Sequence, residues 1–199
     1  MLATYVGKKD EETAMVLSDR DIKQELKEGR ISIKPLKEKD IQPASVDVRL
    51  GSHFRIFRNS SHAFIDPEKE QPDLTEEIVV PDDQAFILHP GQFALGTTFE
   101  KVTLPDDILG KLEGKSTLGR LGLMIHSTAG YVDPGWSGEL TLELSNVATL
   151  PIRLRPQMRI GQLSFERMTS PVERPYGCAA LGSHYQNQTG ATPSHALDD

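Results

Sequence analysis

The clearest hydrophobic pattern in the chain belongs to a segment centred on residue 142. Leucines alternate with polar residues from Leu140 to Leu144, so that Thr141 and Glu143 share the face opposite the leucines. An alternation with a period of two predicts a half-buried β-strand. Less regular alternation predicts further short strands at 46–50, 86–88, 93–95, 152–154 and 163–165.

A different pattern, with a helical period, occurs near the start of the chain. Ser18 can cap a helix, and Asp21 stands three residues later in the position of a capping box. Ile22 and Leu26 fall on one face, and Gly29 can adopt the left-handed conformation that ends a helix. The sequence therefore predicts a helix over residues 19–28.

Beyond this helix, short strands are separated by turns, and a second short helix is predicted after Ser116. The 13 prolines and 16 glycines of the chain favour an all-β barrel or sandwich. Three parts are predicted: an N-terminal extension over 1–14, a barrel domain over 15–181, and a tail or lid over 182–199 rich in Gly, Ser, Thr, Gln and Pro. Met15 could be the biological initiator.

Composition narrows the function classes. The formal net charge is −7, from 29 acidic and 22 basic residues, so we expect no broad nucleic-acid binding. A small anionic ligand remains compatible, because a few local cations and backbone N–H groups can hold it. We expect no membrane segment and no signal peptide, and the single cysteine, Cys178, fits a reducing compartment, so the cytoplasm is the expected location.

Two kinds of site can be excluded from the residues available. A zinc-dependent nucleobase deaminase needs a His/Cys ligand set with a C-x-x-C pair, which one cysteine cannot supply. The run 110–116, Gly-Lys-Leu-Glu-Gly-Lys-Ser, is one residue short of a phosphate-binding P-loop, and no βαβ pattern surrounds it.

Two segments combine residues that suit a nucleotide. The run 114–123 places Lys115 and Arg120 among three glycines, so that two cations and exposed N–H groups converge on a short loop. The run 126–138 contains a strong turn signal at Asp133 and precedes the strand that holds Glu143. On composition alone, a solvated glycine-rich turn explains the first segment better than a phosphate site does, and Glu143 is most simply a solvent-facing strand residue.

Five segments, taken in order, resemble the motifs of the dUTPase superfamily, and more closely those of its dCTP deaminase branch: 43–50, 115–122, 129–138, 159–163 and 182–190. Lys-Ser-Thr-Leu-Gly-Arg at 115–120, Asp-Pro-Gly-Trp at 133–136 and Leu-Glu-Leu-Ser-Asn at 142–146 are the most specific matches. The resemblance begins at Met15 and covers nearly all of the chain after it.

The resemblance implies a mainly β fold, a distorted dUTPase-like β-barrel with a short N-terminal helix, assembled as a homotrimer with sites at subunit interfaces. It also implies metal-free deamination of dCTP at C4 of the cytosine, with Glu143 as the base that activates water. Ser116 and the carbonyl of Ala129 resemble the groups that hold this water. Arg120 resembles the cation beside the glutamate, and Asp133 resembles the residue that faces the deoxyribose.

Further residues resemble the family's contacts to the base, sugar and triphosphate: Lys115, Ser116, Thr117, Leu118, Gly119, Arg120, Asp133, Thr141, Leu142, Glu143, Gln162, Tyr176, His184 and Gln188. Mg²⁺ bridging the phosphates is expected, with no protein side chain as a metal ligand and no zinc. dTTP is a candidate inhibitor. His184 departs from the pattern, because the family commonly has a lysine there; an exposed tail residue and a phosphate contact are equally compatible with it.

The end product depends on the residues after Thr128 and Ala129. The dUTP-releasing deaminases have a His-Arg pair there, whereas Gly130 and Tyr131 resemble the dUMP-forming type. Glycine is expected to remove a side chain and to permit backbone angles closed to histidine, leaving room for a second water near the α-phosphate. Three hypotheses stay open: a dUMP-forming deaminase, a deaminase that releases dUTP, and a non-catalytic nucleotide-binding regulatory trimer.

Overall fold

The structure is a computed structural model that describes residues 15–58 and 62–195. The predicted extension over 1–14 and the last four residues of the predicted tail lie outside the described residues. Within the described part, no helix is both long and apolar enough to span a lipid bilayer. Strands dominate this part, which confirms the prediction of a mainly β protein.

Fourteen strands are present among the described residues. In chain order they are β1 (Met15–Val16), β2 (Ser32–Lys34), β3 (Ile41–Gln42), β4 (Ser45–Arg49), β5 (His53–Phe57), β6 (Thr75–Val79), β7 (Phe86–Leu88), β8 (Phe93–Thr103), β9 (Ile108–Gly114), β10 (Leu123–Met124), β11 (Tyr131–Val132), β12 (Ser137–Asn146), β13 (Ile152–Leu154) and β14 (Arg159–Arg167). All six predicted strands are present, and eight further strands were not predicted: β1, β2, β3, β5, β6, β9, β10 and β11.

Two six-stranded sheets form the body of the molecule, and all of their pairings are antiparallel. The first sheet has the order β11-β9-β14-β4-β3, with β1 added to β14; the second has the order β10-β12-β8-β5-β6, with β2 added to β8. A bridge between Leu50 and Thr98 joins the two sheets, and β13 pairs with β7 in a separate ribbon. Fully buried side chains from both sheets, among them Phe54, Leu142 and Phe165, form one core.

The helices are short and lie where they were predicted. Helix α1 (Asp19–Lys27) begins after Ser18, whose backbone N–H donates to Asp21 while the Asp21 N–H donates to the Ser18 hydroxyl. The Ser18 hydroxyl lies 2.7 Å from the Asp21 carboxylate, and its hydrogen bond, together with that from the Ser18 N–H, lowers the pKa of the Asp21 carboxyl. Gly29 has φ +73°, which confirms the predicted left-handed end. Helix α2 (Ser116–Gly119) is a single turn, and η1 (Glu38–Asp40) is a 3-10 turn.

The run at 110–116 lies on β9 and on the start of α2, not on a loop between a parallel strand and a helix. Its glycines serve close packing instead. A Cβ atom at Gly110 would lie 3.1 Å from the Cβ of Val132 and 3.2 Å from Leu104. The rejection of a P-loop at this position is therefore confirmed.

An ion pair is buried where β8 departs from regular pairing. The register between β12 and β8 shifts between Glu139 and Thr141, and the displaced part of β8 carries Glu100. Its carboxylate accepts hydrogen bonds from the Arg49 side chain at 2.6 Å and from the Arg49 backbone N–H at 2.8 Å. Burial raises the pKa of Glu100 despite these partners. The pair joins β4 of the first sheet to β8 of the second.

Candidate active site

Glu143 lies on the polar face of β12, where its carboxylate meets the loop that follows β10. The leucines of this strand are buried and the residues between them are half-buried, as the alternation predicted. Glu143 Oε2 accepts a hydrogen bond from the backbone N–H of Ser127 at 2.7 Å, and the Glu143 N–H donates to the carbonyl of Ile125 at 2.8 Å. The loop therefore orients the carboxylate while the strand provides a rigid support.

A cleft of about 310 Å³ opens beside this carboxylate. Seven of the residues that the sequence assigned to the site line it: Ala129, Tyr131, Asp133, Thr141, Glu143, Tyr176 and Gln188. The remaining lining residues were not predicted: Leu95, Leu112, Val132, Trp136, Leu140, Tyr185, Thr192, Pro193 and Ser194. The cleft thus combines a few polar groups with an apolar and aromatic wall, which is the usual composition of a small-molecule site.

Aromatic residues form one side of the cleft. The rings of Trp136 and Tyr176 lie 5.2 Å apart at 51°, and the Tyr185 backbone N–H donates to the Tyr176 hydroxyl at 3.3 Å. Burial raises the pKa of this hydroxyl, so Tyr176 stays a neutral donor at physiological pH. Trp136 belongs to the Asp-Pro-Gly-Trp motif, and its size and apolar character were the signal that could have placed it in the site.

Asp133 is presented to the cleft by a tight turn. The Trp136 N–H donates to the Asp133 carbonyl at 3.1 Å, and the Tyr176 N–H donates to the carbonyl of Pro134 at 2.8 Å. Gly135 has φ +89°, and a Cβ there would lie 2.6 Å from Pro175, so glycine is required. The turn leaves the Asp133 side chain exposed at the mouth of the cleft.

The chain returns to the cleft near its C-terminal end. We call residues 186–194 the lid segment, because they run along β12 and then over the cleft. The Gln188 side-chain amide donates to the Glu139 carbonyl at 2.7 Å and to the Thr141 hydroxyl at 3.1 Å. Its Oε1 atom is buried and has no partner within the described chain, which leaves one acceptor beside the cleft.

Gly130 corrects part of the prediction about the loop after Ala129. Its φ lies outside the left-handed region, so its backbone angles are not closed to other residues. What limits a side chain there is space, because a Cβ would lie 3.3 Å from the Leu112 carbonyl and 3.4 Å from the His126 ring. The expectation that glycine creates room is compatible with this geometry, whereas the expectation about backbone angles is wrong.

The other predicted residues lie outside the cleft of this single chain. Leu142 is fully buried in the core, so only its backbone can reach a ligand. His184 is exposed and stacks on His195, with ring centroids 5.5 Å apart. The remaining members are just before α2, on α2, just after α2, or on β14: Lys115, Ser116, Thr117, Leu118, Gly119, Arg120 and Gln162.

A family assignment follows from comparison with known proteins. The family model described as dCTP deaminase-like matches residues 16–168. The chain belongs to this family. The match contains Glu143, Asp133 and the segment from Lys115 to Arg120, whereas Tyr176, His184 and Gln188 of the predicted site lie beyond it.

Relatives in the family are similar in sequence to almost the whole chain. A protein of Leifsonia xyli subsp. xyli named "dCTP deaminase, dUMP-forming" is 60% identical over 183 residues, which are 92% of this chain and 91% of the relative. A protein of Beutenbergia cavernae with the same name is 58% identical over 182 residues, covering 92% and 95%. The crystal structure of a 2′-deoxycytidine 5′-triphosphate deaminase from Agrobacterium tumefaciens matches with a TM-score of 0.61 at 25% identity, over 78% of this chain and 49% of that chain.

Within the family's second motif, Lys115 is paired with a carboxylate that sequence reasoning did not assign. Lys115 Nζ lies 2.5 Å from Oδ1 of Asp47, whose side chain is only 2% exposed. Arg159 reaches the other oxygen of Asp47 at 3.5 Å and also binds Asp40 at 2.7 Å. Asp47 belongs to the first motif, 68 residues away in the chain, so no local pattern could show this contact.

We also searched the described residues for groups of side chains that could hold a metal ion. In residues 15–58 and 62–195, no three His, Cys, Asp or Glu side chains come together in a way that could hold a metal ion. In the cleft, Asp133 and Glu143 are the acidic side chains.

Proposed function

We propose that the protein hydrolyses dCTP to dUMP, ammonia and diphosphate. The observation that carries the proposal is the carboxylate of Glu143, oriented by the Ser127 N–H in the wall of a nucleotide-sized cleft. Relatives 58–60% identical over more than nine tenths of the chain are named for this reaction, which supports the choice of substrate and product.

Deamination requires a water molecule to attack C4 of the cytosine. Glu143 accepts a proton from this water as the C4–O bond forms, and delivers it to N3 of the ring. It then takes the proton of the new C4 hydroxyl and delivers it to N4, so that the C4 carbonyl forms as the C4–N4 bond breaks and ammonia leaves. Ser116 and the Ala129 carbonyl are proposed to hold the water, and Arg120 to stand beside the carboxylate. Ala129 lines the cleft with Glu143, which suits this role.

Release of diphosphate requires a second water molecule at the α-phosphorus. This water forms a bond to phosphorus while the bond to the β-phosphate oxygen breaks, giving dUMP. Asp133, exposed at the mouth of the cleft, is proposed to bind the deoxyribose and orient this water. Mg²⁺ held by the phosphates would neutralise their charge. The absence of a side chain at Gly130 is proposed to leave room for this water.

Assembly as a homotrimer would complete the site. The cleft holds Glu143, whereas the segment from Lys115 to Arg120 does not line it in the same chain. Large apolar side chains are exposed near α2 and at the end of β12: Leu121, Met124, Val147 and Leu150, the last two 68% and 74% exposed. Contact between chains would bury these side chains and bring the cationic segment of one chain to the cleft of another.

Location and regulation follow from the same proposal. An enzyme that acts on a free deoxynucleotide is expected in the cytoplasm, where this substrate occurs. dTTP shares the deoxyribose and triphosphate of dCTP, so it is expected to compete for the same cleft.

Product analysis tests the reaction. Purified protein is incubated with dCTP and Mg²⁺, and an early time course is separated by chromatography while ammonia is measured in parallel. Ammonia, dUMP and diphosphate are expected in equal amounts, with little free dUTP. Stoichiometric dUTP that persists with excess enzyme would leave a deaminase alone, and binding of dCTP without ammonia would leave a regulatory protein.

A mixing experiment tests the shared site. Glu143→Gln and Arg120→Ala are each expected to inactivate the homotrimer. If one chain supplies Glu143 and another supplies Arg120, trimers reassembled from both variants contain some sites with both residues intact. Partial recovery of ammonia release is therefore expected after mixing, and a mixture as inactive as its components would refute the shared site.

A further inference from the structure

The lid segment begins with backbone hydrogen bonds to β12. The Asn187 N–H donates to the Ser137 carbonyl at 2.6 Å, and the Glu139 N–H donates to the Gln188 carbonyl at 3.1 Å. The Gln186 side chain continues this pairing, because its Oε1 accepts from the Ser137 N–H at 3.0 Å. These contacts hold the segment beside the cleft but do not direct it across the opening.

Two charged side chains hold the lid segment where it turns. At Gly190, φ is +70°, and the N–H donates to Oε2 of Glu139 at 2.7 Å. One residue later, the carbonyl of Ala191 accepts a hydrogen bond from Nε of Arg55 at 2.6 Å. At two consecutive residues, therefore, a carboxylate accepts from the backbone N–H of Gly190 and a guanidinium donates to the backbone carbonyl of Ala191. Hydrogen bonds to charged groups are stronger than those between neutral groups.

Ala191 is buried, so the turn packs closely against the barrel. Ala191 is 3% exposed, although it lies only four residues from the end of the described chain. The three residues that follow, Thr192, Pro193 and Ser194, line the cleft. The turn at Gly190 and Ala191 is therefore the point from which the lid segment is directed over Glu143.

Within the barrel, the side chains of Arg55 and Glu139 each make only a long hydrogen bond to a threonine hydroxyl among the described residues. The other hydrogen bond of Arg55 is from Nη1 to the Thr75 hydroxyl at 3.2 Å, across the β5–β6 pair. The other contact of Glu139 is a long one, 3.4 Å from the Thr97 hydroxyl. Removal of the lid segment would deprive Arg55 and Glu139 of their shortest hydrogen bonds, those to Ala191 and Gly190. Both side chains are therefore placed to bind the lid segment.

We propose that Arg55 and Glu139 are positioning residues that form a two-point latch for the lid segment over the cleft. Glu139 stands on the same face of β12 as Thr141 and Glu143, so the latch and the catalytic carboxylate share one strand. Neither latch residue lines the cleft. They act through the lid segment, by keeping the nucleotide in and bulk water out.

Hydrogen exchange of the full-length protein without nucleotide tests the latch directly. In Arg55→Met and Glu139→Ala, amides of 186–194 are expected to exchange about tenfold faster, because a charge-assisted hydrogen bond is lost. Peptides from β9 and β14 should exchange at the wild-type rate, and they report whether each variant is folded. Arg58→Met is the matched control, since Arg58 pairs with Glu76 on the neighbouring strand.

Conservative variants separate a latch from a general packing role. Glu139→Gln keeps a neutral oxygen that can accept from the Gly190 N–H, and Arg55→Lys keeps a charged donor, so the lid segment of both should exchange more slowly than in Glu139→Ala and Arg55→Met. Wild-type exchange in both Arg55→Met and Glu139→Ala overturns the proposal, as does a wild-type lid segment that exchanges like an unfolded peptide. A lid segment as loose in Glu139→Gln as in Glu139→Ala also contradicts it.

The kinetic part of the test rests on the proposed function. With dCTP as substrate, the latch variants should raise KM several-fold and change kcat less, because the reacting groups remain in place. If the protein does not deaminate dCTP at all, the exchange experiment still decides whether the latch exists. If exchange rises and KM does not, the lid segment is latched but does not retain the nucleotide, and the functional half of the proposal is wrong.

Discussion

Replacement of Glu143 by glutamine removes the proposed base with little change in shape. The amide oxygen can still accept the Ser127 N–H that lies 2.7 Å from Oε2 in the wild type. Exchange of a charged acceptor for a neutral one should cost about 1 kcal/mol of the free energy of unfolding. For a chain of this length, that corresponds to a fall in Tm of roughly 2–4 °C. The variant should therefore fold and retain its cleft.

The loss of activity should be much larger than the loss of stability. Removal of a general base lowers the rate by about 10²–10⁴, which is about 3–5 kcal/mol of activation free energy. Ammonia release measures the rate, calorimetric titration with dCTP measures binding, and Glu76→Gln on β6 is a control for removing a strand glutamate. Ammonia release near the wild-type rate in Glu143→Gln would show that another group activates the water.

Four further outcomes are expected. Glu100→Ala should lower the free energy of unfolding by about 3–5 kcal/mol in urea, because it leaves Arg49 buried without its partner; a loss below 1 kcal/mol would contradict this. Ser18→Ala should cost about 1 kcal/mol in the same assay, through loss of the helix cap. Gly130→His should release free dUTP before dUMP, since a Cβ at this position already lies 3.3 Å from the Leu112 carbonyl and the ring requires a shift of the loop; an unchanged product ratio on chromatography would refute this. Chelation of zinc should leave ammonia release intact, whereas removal of Mg²⁺ should weaken dCTP binding in calorimetry.

The elements that could be predicted from the sequence are those whose signals are local. The predicted helix over 19–28 corresponds to Asp19–Lys27 because the capping box and Gly29 act within a few residues of each end. The predicted strand at 140–144 lies within Ser137–Asn146 because its leucines point into the core without interruption. In contrast, β9 contains Gly110, which interrupts the alternation on the side that packs against Val132.

The candidate site was only partly predictable, for a related reason. A carboxylate on a rigid strand and a turn that presents Asp133 are local features, and both line the cleft. The pairing of Lys115 with Asp47 and the return of the lid segment to β12 join residues far apart in the chain. Such contacts depend on the folded arrangement of both sheets, and no spacing in the sequence shows them.

Strand β12 also fixes the distance between two carboxylates, those of Glu139 and Glu143. The side chains of Glu139 and Glu143 are on the same face four residues apart, and an antiparallel strand rises about 3.4 Å per residue, so their Cα atoms are separated by about 14 Å. This span sets the distance between the residue that binds the lid segment and the reacting carboxylate. Insertion of two residues after Glu139 would keep both carboxylates on the same face but lengthen the span by about 7 Å. The lid segment would then be bound too far from Glu143 to cover the cleft.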